Sequence, residues 1–109
     1  MSVTISINTQ SEIHKNDIGT LFEIEILSNE VAVDISAATV KRLIFLKPNG
    51  TKNTVNCNFT TDGTDGLLQY LSVAGDLDQV GILGVQLYVE IGSQIWSSDF
   101  ETIVVRENL

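Results

Sequence analysis

The sequence has little of the chemistry that most catalytic and metal sites require. It contains one cysteine, Cys57, and one histidine, His14, in 109 residues. A single cysteine cannot form an internal disulfide, and the pair cannot complete a zinc site made of His and Cys ligands. The phosphate-loop pattern G-x-x-x-x-G-K-[ST] and the nucleophile pattern G-x-S-x-G are both absent. We therefore expect no enzyme of the classes that depend on these motifs, and no cofactor.

Basic residues are scarce as well. Six Lys and Arg stand against fourteen Asp and Glu, for a formal net charge of -8. Because nucleic acids and anionic membranes are bound through basic surfaces, we expect neither as a partner. No apolar run approaches the roughly 20 residues of a membrane-spanning helix, and no signal peptide is visible at the N-terminus. With 43% apolar and 18% charged residues, the composition predicts a soluble, folded protein made in a cytoplasm.

The sequence is dominated by a period of two, which is typical of β-strands with one buried face. Residues 22–26, 31–35, 55–59 and 83–89 alternate in this way, residues 40–46 and 67–73 are denser apolar runs, and residues 3–7 suit an edge strand. In the last predicted strand, one face holds Trp96, Ser98, Phe100, Thr102 and Val104. Helix signals are limited to about one turn each, at residues 36–38 and 75–79.

Turn residues separate these strands. Asn49-Gly50 is a strong hairpin signal, Asp62-Gly63 and Asp65-Gly66 mark a reversal, and Gly92-Ser93 marks the last hairpin. The spacing predicts an all-β, antiparallel Ig-like β-sandwich of seven to eight strands. We expect residues 1–109 to form a single domain, with residues 1–16 as an extended arm or an edge strand.

The acidic segment from Ala74 to Gly81 predicts a crossover between the two sheets. It precedes a long alternating strand and a final hairpin, as in immunoglobulin-type sandwiches. The tyrosine expected at such a corner is absent, since Ile82 and Leu83 occupy the start of the strand. The Cys…Trp…Cys spacing of antibody domains is absent too, so an Ig-like fold here is a variant without the disulfide between the sheets.

Six stretches resemble a phage virion module. They are HKNDIGT (14–20), VDISAAT (33–39), FLKPNGT (45–51), FTTDGTDG (59–66), AGDLDQVG (74–81) and WSSD (96–99). Their order and spacing, over residues 13–105, are similar to the N-terminal domain of the siphophage baseplate upper protein family and its small stand-alone relatives. The baseplate proteins carry long C-terminal extensions, whereas this sequence ends at Leu109.

The resemblance implies an Ig-like, non-catalytic structural protein of the bacteriophage virion, an attachment or assembly module of the tail, baseplate, neck or fibre-anchoring region. It implies other virion structural proteins as partners and a homo-oligomer in the particle. Two alternatives stay open: a capsid-surface decoration protein, and a carbohydrate- or receptor-binding module that uses Tyr88, Gln94, Trp96 and Asp99.

Four residues are candidates for a protein interface, because large amphipathic rings and arginine dominate binding energies at interfaces. They are Tyr88, Trp96, Tyr70 and Arg42. Trp96 also suits core packing. Tyr88 falls on a polar face with Gln86 and Glu90, and Lys41 and Arg42 suit a sheet edge.

The remaining polar groups favour structural roles. Asp62, Asp65, Asp76 and Asp78 would supply oxygen ligands for Ca²⁺ only if they clustered, and Asp-Gly pairs more simply turn the chain. Ser11, His14 and Asp17 are close in sequence but show no arrangement of a catalytic triad. Asp99 suits the rim of a strand. Cys57, on the apolar parity of its strand, predicts a buried thiol. We therefore predict no catalytic, cofactor-binding or metal-binding residues.

Overall fold

A computed structural model describes residues 4–8, 13–98 and 100–107 of the chain. Within these residues there are eleven strand segments and no helix. The strands are β1 (Thr4–Asn8), β2 (Ile13–His14), β3 (Leu21–Ser28), β4 (Val31–Ala32), β5 (Ala38–Leu46), β6 (Lys52–Asn56), β7 (Asn58–Phe59), β8 (Leu67–Leu71), β9 (Gly81–Ile91), β10 (Gln94–Ser97) and β11 (Glu101–Arg106). The all-β prediction is confirmed.

The strands form two sheets. The five-stranded sheet has the order β1-β3-β8-β7, with β4 also paired to β3. The six-stranded sheet has the order β2-β11-β9-β5-β6, with β10 also paired to β9. All pairs are antiparallel except β2 with β11, which run parallel. The connection from β8 to β9 crosses between the sheets, where the acidic segment predicted it.

Alternation along the central strands builds the core between the sheets. Phe22, Ile24 and Ile26 of β3 are fully buried, and Glu23 and Glu25 between them are exposed. From the opposite sheet, the Phe45 ring of β5 lies 5.6 Å from the Phe22 ring, centroid to centroid. Burying large apolar side chains of this kind stabilises a fold by about 1.5–3 kcal/mol each.

The predicted strand at residues 55–59 is divided between the two sheets. β6 pairs with β5 in one sheet, and β7 pairs with β8 in the other. Cys57 lies at the change of sheet, where its N–H donates to the Lys41 carbonyl at 2.9 Å. The thiol is buried, as predicted, with 4% of the residue exposed.

The other predicted strands differ mainly in length. Residues 31–35 form only the short β4, which follows β3 through a tight turn in which Asn29 and Glu30 both have positive φ. The Val33 N–H still donates to the Ile26 carbonyl of β3 at 3.1 Å. The chain then leaves the ladder, where the Ile35 N–H donates to the Gly63 carbonyl of the Asp-Gly loop. The described residues therefore contain eleven strand segments, from two to eleven residues long, instead of seven or eight strands.

A β-bulge between β10 and β11 reverses which side chains face the core. Ser97 lies opposite Tyr88 and Glu101 opposite Val85. One strand therefore advances four residues while β9 advances three, and one extra residue inverts the alternation. Trp96 keeps the inward side, but Phe100 and Val104 point outward with 55% and 56% of their surface exposed. The prediction that Trp96, Ser98, Phe100, Thr102 and Val104 share one face is therefore wrong.

Candidate functional site on the outer face of the six-stranded sheet

Strands β5, β9 and β11 direct their even-numbered residues away from the core. The odd-numbered residues Leu43, Phe45, Leu83, Val85 and Val105 are buried, so their neighbours along each strand face outward. Cross-strand pairs set the outer surface in rows: Ile82 lies opposite Val104, and Gly84 lies between Leu46 and Thr102.

One half of this outer surface is apolar. Ile82 is 64% exposed, in addition to the exposed Phe100 and Val104 described above. A Cβ atom at Gly84 would lie 2.5 Å from the Phe100 ring, so that ring covers the glycine directly. We define the apolar patch as Ile44, Leu46, Ile82, Phe100 and Val104.

The other half is mainly polar, although Ile95 of β10, opposite Glu90, is 63% exposed. This half holds two of the predicted interface residues. Arg42 and Tyr88 are cross-strand neighbours. The Tyr88 hydroxyl donates to Glu90 Oε2 at 2.8 Å, and this hydrogen bond raises the pKa of Tyr88. The prediction that Tyr88 lies on a face with Gln86 and Glu90 agrees with this arrangement.

Arg42 and Lys41 do not lie at a sheet edge, contrary to prediction. Their strand, β5, lies between β9 and β6, and Arg42 has Tyr88 on one side and Asn56 on the other. The dense apolar run of β5 is the better signal, because it is typical of a central strand. The Lys41 ammonium lies 4.3 Å from the centroid of the Phe59 ring, in a cation–π contact.

Tyr70 faces inward, away from the Arg42–Tyr88 face. Its ring centroid lies 6.0 Å from that of Phe45, and its hydroxyl donates to Asp76 Oδ2. Burial and the hydrogen bond with Asp76 raise the pKa of Tyr70. Asp76 also accepts from the Val73 N–H at 2.9 Å and from Asn53 Nδ2 at 2.8 Å. Tyr70 therefore fastens the loop between β8 and β9 to the sandwich, a role that sequence reasoning missed.

Trp96 packs against the core, as one of the sequence interpretations expected. It lies opposite Val89, whereas Tyr88 lies opposite the next residue, Ser97, on the outward side. Tyr88 and Trp96 therefore do not form one aromatic platform for a sugar ring. The buried indole N–H of Trp96 has no hydrogen-bond partner among the described residues. Gln94 is exposed on β10, and Asp99 lies outside the described residues.

The four aspartates of the calcium hypothesis occupy different structural roles. Asp62 accepts from the Thr64 hydroxyl at 2.6 Å and from the Thr64 N–H at 3.0 Å, which lowers the pKa of Asp62. Asp65 accepts from Thr61 Oγ1 at 2.7 Å. Asp78 forms an ion pair with Lys47 at 3.0 Å, and Asp76 is buried within the loop between β8 and β9. The first two carboxylates therefore order the Asp-Gly turns.

The described part of the chain holds no group of three His, Cys, Asp or Glu side chains placed as metal ligands. Asp17 Oδ2 accepts from the backbone N–H of His14 at 2.9 Å, so this carboxylate holds a turn. Ser11 lies outside the described residues. Burial raises the pKa of the Cys57 thiol to about 12, which keeps it protonated near neutral pH.

Sequence reasoning missed the apolar patch because two of its residues face outward only as a result of the bulge. Ile82 already fell on the outward-facing positions of β9, and an apolar residue there was a usable signal of the patch. Phe100 and Val104 were assigned to the inward parity of Trp96.

Among the described residues, none forms a helix with the length and apolarity needed to cross a bilayer. No family model matches the chain, and a search of curated proteins also returned no match.

Proposed function

We propose that this chain is a non-catalytic structural module of a bacteriophage virion, which acts in the tail, baseplate, neck or fibre-anchoring region by binding other proteins. The observation that carries the proposal is the apolar patch, because large exposed apolar surfaces are typical of protein interfaces. The virion context rests on the resemblance of residues 13–105 to siphophage baseplate upper proteins.

We further propose that the fold is Ig-like. Here the two-residue β2 and β4 are omitted, and β6 and β7 are counted as one strand that changes sheet. In chain order, the five-stranded sheet is then arranged first, second, fifth, fourth, which is the A-B-E-D order of an immunoglobulin sheet. In the other sheet, β9 lies between β5 and β11, as strand F lies between C and G.

The mechanism of such a module is the presentation of a rigid surface. Residues on β5, β9 and β11 are fixed by the buried side chains between them, such as Leu43, Val85 and Val105. Because the outer surface is held by hydrogen-bonded strands, little conformational entropy is lost when a partner covers it. Binding therefore requires no covalent chemistry.

The proposal is tested on purified particles of a phage that encodes the chain. Particles banded on a density gradient are analysed by quantitative mass spectrometry and labelled with antibodies raised against the purified chain. We expect peptides of the chain at a fixed ratio to the tail proteins, and label on the tail. Absence of the chain from intact particles would overturn the virion proposal. Label confined to the capsid would favour the decoration alternative instead.

A further inference from the structure

The outer faces of the two sheets carry charges of opposite sign. On the six-stranded sheet, the outward strand positions hold Arg42, Lys52 and Arg106 against one acidic residue, Glu90. This is a local basic excess in a chain whose net charge is -8. A partner for this face is therefore expected to combine apolar side chains with carboxylates.

The outer face of the five-stranded sheet has this composition. Leu21 and Leu71 are cross-strand neighbours, 37% and 55% exposed, and Val73 beyond them is 54% exposed. Glu23 and Glu25 follow along β3, and the described outward strand positions of this sheet include no Lys or Arg. We define the acidic face as Leu21, Glu23, Glu25, Leu71 and Val73.

The apolar and the charged positions also follow one another at similar distances along the two faces. Leu71 directly precedes the β8–β9 loop and Ile82 follows it closely, so the apolar ends of both faces lie at the same end of the molecule. Glu25 lies four residues along β3 from Leu21, about 13 Å at ~3.3 Å per residue. Arg42 lies four residues along β5 from Leu46, again about 13 Å. Stacked copies in one orientation would therefore place apolar ends together and Glu25 near Arg42.

The area suits a weak, repeated contact. Strands β11, β9, β5 and β6, spaced ~4.8 Å apart, give a face about 19 Å wide, and Ile82 to Glu90 spans about 26 Å. That is roughly 500 Å² from each partner, near the lower limit of about 1,000 Å² in total for a specific interface. Such an interface requires high local concentration or repetition in an assembly.

We propose that the occupant of the apolar patch is a second copy of this chain, which docks through its acidic face. Because the two contact surfaces are different, the association is head-to-tail and builds a stack or a ring. A two-fold pair through the apolar patch would bring two basic faces together and leave both acidic faces uncovered. This inference rests on the proposed function in one respect, because it names a second copy as a partner of the proposed module. The contact itself is a property of the isolated chain.

The test uses one aspartate substitution on each face, in the purified full chain. Phe100→Asp blocks the patch, and Leu71→Asp blocks the acidic face. Both side chains are 55% exposed, so the two variants are matched in the burial that they lose. Val31→Asp, at a position 67% exposed in β4, is the control outside both surfaces. Circular dichroism and thermal melts confirm that each variant is folded.

Light scattering coupled to size exclusion, in a series up to about 1 mM because small interfaces are weak, gives the masses. We expect the unmodified chain and Val31→Asp to form oligomers that grow with concentration. Each blocked variant alone is expected to be monomeric. Mixed one to one, the two blocked variants are expected to form a capped dimer and nothing larger, because each retains the face that the other lacks.

Three outcomes overturn the inference. An unmodified chain that is monomeric throughout the series has no self-contact. Self-association of Leu71→Asp equal to that of the unmodified chain would show a two-fold contact through the patch. A mixture of blocked variants that stays monomeric excludes head-to-tail pairing. None of these results bears on whether the chain is found in particles, so the virion proposal stands or fails separately.

Discussion

Strands β3 and β9 are the central strands of the two sheets, and they are alike inside but different outside. Both direct large aliphatic side chains into the core. Outward, β3 shows Glu23 and Glu25, whereas β9 shows Ile82 and Gly84 before it becomes polar at Gln86. An antiparallel sheet that meets water on one face normally follows the pattern of β3. The departure in β9 is one of the observations on which the proposed protein contact rests.

The same comparison applies to two pairs of identical residues, in which one side chain faces the core and the other faces outward. Phe45 and Phe100 lie on opposite faces of the six-stranded sheet, and Tyr70 and Tyr88 point inward and outward from different sheets. Each pair offers a matched substitution, in which chemistry is constant and only the environment changes.

The largest expected effect is on the phenylalanine pair. Phe45→Ala should lower the free energy of unfolding by about 3–5 kcal/mol, because it leaves a cavity against Phe22 and Tyr70. Phe100→Ala should lower it by less than about 1 kcal/mol, because over half of that residue is already exposed. Urea unfolding at low protein concentration measures both. Equal losses would show that Phe100 belongs to the core; if Phe45→Ala does not fold, the smaller change Phe45→Leu gives the same ranking.

The tyrosine pair should show a smaller difference. Tyr70→Phe removes a hydrogen bond to the buried carboxylate of Asp76, at an expected cost of about 1.5–3 kcal/mol. Tyr88→Phe removes the bond to Glu90 on the outer surface and should leave the unfolding midpoint nearly unchanged. Thermal and urea unfolding of the two variants under one set of conditions decides the ranking. A greater loss for Tyr88→Phe would contradict the inward role of Tyr70.

The smallest effect appears as a pH dependence of stability. The folded Cys57 thiol has its pKa raised to about 12, so its stabilising contribution is complete below the unfolded pKa. It is lost as pH rises from about 8.5, at up to about 1.4 kcal/mol per pH unit, because the unfolded chain releases the proton first. Urea midpoints between about pH 9 and 10 should fall for the unmodified chain and fall less steeply for Cys57→Ala. Identical slopes would show that the thiol does not contribute.

Much of the architecture followed from local pattern. Alternation located the central strands β3 and β9, because a strand with one buried face must repeat every two residues. A dense apolar run located β5, and Asn49-Gly50 located the β5–β6 hairpin. The short strands were less accessible. Residues 31–35 and 55–59 both alternate, but which sheet each segment joins depends on partners distant in sequence.

For the candidate site, the sequence by itself determined that Gln86, Tyr88 and Glu90 share one polar face. Tertiary structure alone decided which residues complete that surface. The bulge turned Phe100 and Val104 outward, and sheet order placed Arg42 beside Tyr88. The physical reason is that parity is a property of a single strand, whereas register and its interruptions are set by pairing between strands that lie far apart in the chain.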